Sequence, residues 1–215
     1  MSARNWTNET NQSTNFKDAT MSFRKEKFMS LAGITAVEHP IEELKSISRG
    51  LLNDGIHGIC FSAYDEGQQP GDQLTEAQVR RKLSILKPHI SWVRTFSCTE
   101  GNEFIAQIAH EMGIKTLAGA WLGDDLEKNE VEIAGLIALC KQGAVDVAAV
   151  GNEVLYREDL EANALVKYIK RVKAEVSGVP VGYVDAYYEF TDHPEVSDAC
   201  DIILANCYPL SLIHI

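Results

Sequence analysis

The sequence has no run approaching the roughly 20 apolar residues needed to cross a bilayer. Its N-terminus lacks the basic, apolar, small-residue order of a secretory signal, so the expectation is a soluble protein that is not exported, with the cytoplasm favoured. Positive charge is scarce: 20 Lys and Arg stand against 31 Asp and Glu, a formal net charge of -11. Proteins that neutralise phosphates carry a basic patch or stripe, so this balance argues against a nucleic-acid partner. The five cysteines (Cys60, Cys98, Cys140, Cys200 and Cys207) include no C-x-x-C spacing, which favours reduced thiols over a zinc or redox site. The histidines show no i, i+4 pair and no H-E-x-x-H, so no metal is expected.

What is present is ordinary globular material, 45% hydrophobic and 24% charged, enough for one sizeable core. Residues 1–27 are rich in Asn, Thr, Ser and Lys and poor in aliphatics, so they read as a flexible polar leader before a single domain over 28–215. From Pro40 a helical face of Leu44, Ile47 and Leu51 runs to the breakers Asn53, Asp54 and Gly55. Short apolar runs then alternate with amphipathic helices. Strands are expected at Ile56–Ser62, Ser91–Phe96, Lys115–Trp121, Val145–Val150, Val179–Val184 and Asp201–Ala205. Between them, Thr75 and Gln78 form a capping-box pattern ahead of Val79, Leu83 and Leu86. Phe104 and Ile108 share a helical face, and an apolar stripe of Ile133, Leu136, Ile137 and Cys140 stops at Gly143.

Strand, helix and strand at roughly 30-residue spacing is the pattern of βαβ units with a parallel sheet covered on both faces. No Gly-rich dinucleotide fingerprint or phosphate loop follows the first strand, so a barrel is favoured over an open nucleotide-binding sheet, and no cofactor is expected. In such barrels the reactive groups project from the C-terminal ends of the strands. Those positions hold Arg94 and Thr95, Trp121, the Gly151-Asn152-Glu153 tripeptide, Asp185, and Asn206 with Tyr208. Carboxylates, amides and flat rings together suit a carbohydrate: rings stack on apolar sugar faces while amides and acids bond hydroxyls.

The string VGNEVLYR at 150–157 resembles the acid/base motif of glycoside hydrolase family 17, the β-1,3-glucanases and β-1,3-glucan transglycosylases. GICFSAYDEGQQPG from Gly58, WVRTFS from Trp92 and ILANCYP from Ile203 are similar to that family's first-, second- and sixth-strand motifs. GAWLG from Gly119 and GYVDAYYEF from Gly182 resemble its bacterial branch. The resemblance implies a TIM (β/α)8 barrel and a retaining reaction on β-glucan, in which one carboxylic acid protonates the leaving oxygen and a second attacks the anomeric carbon. It assigns Glu153 as proton donor and Asn152 as the amide for the sugar 2-hydroxyl or the nucleophile. Arg94 would support the carboxylates, with Tyr64, Trp121, Asn206 and Tyr208 as further substrate contacts. The family's nucleophile sits on the seventh strand in a segment resembling ETGWPS, which this sequence does not contain. The expectation is therefore a barrel truncated after about six strands, departing from the family after Pro209 at LSLIHI and inactive as it stands. Asp185 is the internal candidate for a substitute second acid. A non-catalytic glucan-binding fragment is the alternative to an enzyme.

Overall fold

The computed structural model describes residues 39–207. The expected leader, Tyr208 and the LSLIHI segment lie outside the described residues. Helix α1 (Ile41–Asp54) begins directly after Pro40 and ends at Gly55, whose φ of 84° reverses the chain at no steric cost. Six strands follow, each separated from the next by helical structure: β1 (Ile56–Cys60), β2 (Ile90–Arg94), β3 (Lys115–Ala120), β4 (Val147–Asn152), β5 (Val181–Ala186) and β6 (Ile202–Asn206). They form one sheet in the order β1-β2-β3-β4-β5-β6, and every neighbouring pair is parallel. Sequential order with helical crossovers is the topology of a (β/α) barrel wall, so the described strands make a half-barrel.

The helices are α2 (Glu76–Leu86), α3 (Glu103–Glu111), α4 (Leu126–Lys141), α5 (Ala162–Glu175) and the short α6 (Glu189–Asp192) and α7 (Pro194–Ala199). Local chemistry sets their ends. Thr75 Oγ1 accepts from Gln78 N at 3.3 Å, and Asp125 Oδ1 accepts from Lys128 N at 3.1 Å, each relieving an orphan first-turn donor. The reciprocal half of the expected capping box is not formed. Gln78 instead donates to Ala63 O at 2.7 Å and to Gln68 Oε1 at 2.5 Å, fastening the loop after β1.

The apolar faces of the helices pack on one face of the sheet. Ile133, Leu136, Leu165 and Ile169 meet Ala148, Val150 and Tyr183 in one cluster, while Val79, Leu83, Ile105 and Ile108 meet Val93 in another. Strand side chains alternate between faces, which leaves Leu117, Val184 and Leu204 on the opposite, inner face, where they border a groove with Arg94 and Asn206. Among the described residues no helix is long and apolar enough to cross a membrane.

Candidate active site

The pairing of β4 with β5 is regular through Ala149 and Gly182, then shifts so that Asn152 lies opposite Val184. One extra residue on β4 makes this a bulge. In a regular strand Asn152 would share the helix-facing side with Ala148 and Val150, but the bulge turns it to the inner face with Val184. Gly151 permits the turn: its φ is 92°, and an added Cβ would lie 2.8 Å from Val154 Cγ2 and 3.3 Å from Tyr183 Cε2. Glu153 follows in the left-handed region, φ 53°, held by its N–H on Val184 O at 2.8 Å and by Arg157 N donating to its carbonyl at 2.9 Å.

The side chains around Glu153 come from three strands. Arg94 Nη2 donates to Asn152 Oδ1, and Arg94 Nη1 donates to Asn206 Oδ1 at 3.3 Å. Arginine has only donors, so both amides turn their oxygens toward it. That orientation leaves Asn206 Nδ2 to donate to Glu153 Oε1 at 2.9 Å. The guanidinium also lies 4.7 Å from the centre of the Phe96 ring, and its Nε–H is buried with no hydrogen-bond partner among the described residues.

Beside this ring of polar groups is a cleft of about 270 Å³, lined by Phe61, Tyr64, Phe96, Ser97, Trp121 and Glu132 among others. Phe96 borders both the cleft and Arg94, so the two are adjacent. Tyr64 receives a hydrogen bond from Asn102 Nδ2 on its hydroxyl at 3.4 Å. Trp121 is 38% exposed, and Arg157 lies over its ring at 4.5 Å.

Of the residues expected from sequence, Arg94, Asn152, Glu153 and Asn206 are brought together at the strand ends, and Tyr64 and Trp121 line the neighbouring cleft. Tyr208 lies outside the described residues. Asp185 requires a correction. It shares the helix-facing side of β5 with Tyr183 and is fully buried there, accepting from the Tyr183 hydroxyl, from Ala186 N at 2.7 Å and from Tyr156 N at 3.4 Å. Burial pushes the Tyr183 phenol up, and the neighbouring Asp185 raises it further, so the phenol keeps the proton it donates. Asp185 clasps the backbone after Glu153 instead of facing the sheet's inner side.

Two side chains that hold the loops around the site escaped sequence reasoning. Arg157 closes the VGNEVLYR string and donates to Asn152 O and to Leu122 O, the latter at 2.9 Å, tying the loops after β3 and β4 together. Asp159 in turn holds the guanidinium through Arg157 Nε at 2.7 Å. Glu132 on α4 is fully buried and reaches the loops after β2 and β3. Its sequence signal was an acid set inside an apolar helical stripe. Among the described residues no group of His, Cys, Asp and Glu could hold a metal ion.

A parallel β/α sheet that gathers a carboxylate, two amides and an arginine at its strand ends, beside an aromatic cleft, has the arrangement of a barrel-type glycoside hydrolase. Sequence comparison agrees. The chain belongs to the BtgE/BtgC glycoside hydrolase domain family, whose profile matches residues 58–210. Glucan 1,3-beta-glucosidase BGL2 of Candida albicans is 28% identical over 144 residues, 59% of this chain and 46% of that protein. The glucan 1,3-beta-glucosidase of Schizosaccharomyces pombe is 27% identical over 191 residues, 81% of this chain and 57% of that protein. The chain thus spans about half the length of the curated relatives it matches. Among solved structures, the glycoside hydrolase family 17 beta-1,3-glucanosyltransferase of Rhizomucor miehei superposes with a TM-score of 0.61 at 27% identity, covering 72% of this chain and 58% of that one. An active-site mutant of that enzyme, solved with laminaritriose, superposes equally well.

Proposed function

We propose that this chain carries the acid/base half of a retaining enzyme that hydrolyses or rearranges β-1,3-glucan, with Glu153 as general acid and base. The observation that carries this reading is the Arg94 fork. By fixing both amides through their oxygens it presents Asn206 Nδ2 to the Glu153 carboxyl, so the acid is oriented before substrate arrives. Glu153 would protonate the glycosidic oxygen as the bond breaks and then take a proton from the water or sugar hydroxyl that resolves the intermediate. Asn152 and Asn206 have the donors to bond sugar hydroxyls, and Tyr64 and Trp121 offer rings on which glucose units stack.

The nucleophile in this reading is a carboxylate supplied from outside residues 39–207. The buried Nε–H of Arg94 supports it, because an unpartnered buried donor calls for an acceptor and a carboxylate beside the guanidinium would satisfy it. Asp185 does not meet the need from its place among the helices.

Laminarin is the deciding substrate. The 215-residue chain should release no reducing sugar or rearranged oligosaccharide from it, whereas a chain extended by the downstream coding sequence should do so. In the extended enzyme Glu153→Gln should lower kcat by roughly 10²–10⁴-fold, the usual contribution of a positioned general acid. β-1,4- and β-1,6-linked oligosaccharides should be poor substrates. Turnover by the 215 residues alone, or by the extended Glu153→Gln variant at the parent rate, would refute the assignment.

A further inference from the structure

Glu132 lies on α4, one turn before Gly135. Its carboxylate receives four hydrogen bonds. Ser97 Oγ and Thr99 Oγ1 donate to Oε1 at 2.5 and 2.6 Å, and Cys98 N and Trp121 N donate to Oε2 at 2.8 and 3.2 Å. Every donor belongs to the loop after β2 or to the residue that follows β3, and these segments supply Ser97 and Trp121 to the wall of the cleft that Glu132 itself lines. Removing a carboxylate fully from water carries a large desolvation penalty, so a buried ionic group is weak evidence for stability. What this one does specifically is fix two separate loops to one helix.

The helix is brought to that position at a cost visible in the sequence. Glycine is a poor residue for a helix interior, yet Gly135 sits in the middle of α4. An added Cβ there would lie 2.7 Å from Cys98 O and 3.0 Å from Cys98 Cβ. The glycine lets α4 approach the Cys98 loop closely enough for Glu132 to reach both backbone N–H groups. Two unfavourable choices, a buried acid and a mid-helix glycine, serve one contact.

We infer that Glu132, seated by Gly135, is a positioning residue that sets Trp121 and the 97–99 loop as the walls of the sugar cleft. This inference rests on the reading of that cleft as a glucan site. Glu132 acts through Trp121 and Ser97 and bonds no sugar itself.

The test uses the 215-residue chain, laminaritriose as probe, and ¹H–¹⁵N spectra in which the Trp121 indole is assigned by Trp121→Phe. Glu132→Met keeps the volume and removes the acceptor. It should weaken laminaritriose binding about tenfold or more, move the Trp121 indole signal, and speed amide exchange at Cys98 and Trp121. Glu132→Gln should stay within about threefold of the parent, because its Oε1 still accepts the two N–H groups while the hydroxyls rotate to accept from its Nε2. Gly135→Ala, which lies away from the cleft wall, should weaken binding although it improves helix propensity, and it serves if the Met variant does not fold. Unchanged binding and an unmoved Trp121 signal in both Glu132→Met and Gly135→Ala would overturn the inference. Failure of the parent chain itself to bind laminaritriose would instead remove the glucan reading of the cleft, leaving the indole shift and amide exchange to judge whether Glu132 holds the loops.

Discussion

Glu153, the proposed general acid and base, sits at a strained point of the backbone. It holds φ at 53°, two residues after a bulge glycine at 92°, and a left-handed conformation disfavours a residue with a Cβ by about 1–2 kcal/mol. It persists because the ladder bond to Val184 O, the Arg157 N–H on its carbonyl and the Asp185 clasp on Tyr156 N all determine the same path. Two substitutions separate strain from function. Gly151→Ala should destabilise the fold by about 1–3 kcal/mol, since the new Cβ collides with Val154 and Tyr183 as well as opposing the φ. Glu153→Gly should leave stability unchanged or raise it by up to about 1 kcal/mol while removing the only carboxyl in the tripeptide. Urea midpoints at constant m-value measure both. A Glu153→Gly chain that unfolds at clearly lower urea would mean the carboxylate stabilises the bulge and is not strained by it.

Between elements, the junction of α5, β5 and β6 is held by Asp201, whose Oδ1 lies 2.6 Å from Lys173 Nζ and whose Oδ2 accepts from Val181 N at 3.0 Å. The hydrogen bond from Lys173, seconded by the backbone N–H, holds the Asp201 carboxyl below its ordinary value. A depressed folded-state pKa gives stability that is complete above the unfolded value and lost as pH falls through the folded one. Both partners are partly exposed, so the effect is screened and modest. Asp201→Asn should therefore narrow the drop in Tm between pH 7 and pH 3, and an unchanged drop would show that the pair does not report on folding. This level is also where the sequence was most and least legible. All six strands and the longer helices between them could be placed from the chain, because a parallel strand covered by helices must be almost continuously apolar and a surface helix must show a 3.6 period, whereas α6 and α7 are too short to show one. The β4 bulge could not be placed, since one extra residue leaves no trace in a period. Asp185 was misread for a related reason: position near a strand's end says nothing about which face the side chain takes. The gathering of Arg94, Asn152, Glu153 and Asn206 rested on motif resemblance, because the register that brings residues from three strands within bonding distance is a tertiary fact. Glu132 went unnoticed because its four donors lie about 11 to 35 residues away along the chain.

For the sheet as a whole, burial falls from the centre outward. Every residue of β4 and β5 is buried, whereas those of β1 and β6 are intermediate or exposed, and Ile203 on the helix-facing side of β6 is 44% exposed. Among the described residues β6 pairs only with β5, and Ile203 leaves apolar surface open to solvent there. Burial of that apolar surface favours contact with a second copy of the chain. The net charge of -11 opposes close approach of two copies at low salt, and screening weakens the opposition once the Debye length shrinks to about 8 Å near 0.15 M. Light scattering of the 215-residue chain should accordingly show a mean mass that rises with protein concentration, and rises further with added salt. Ile203→Lys puts a charge in place of the apolar area where two copies would meet, so it should reduce the association at every salt concentration. Gly151→Ala alters a position on β4, two strands inward from β6, and should not reduce it. A chain that stays monomeric at high concentration and high salt, or an Ile203→Lys variant that associates as strongly as its parent, would show that β6 is not the contact.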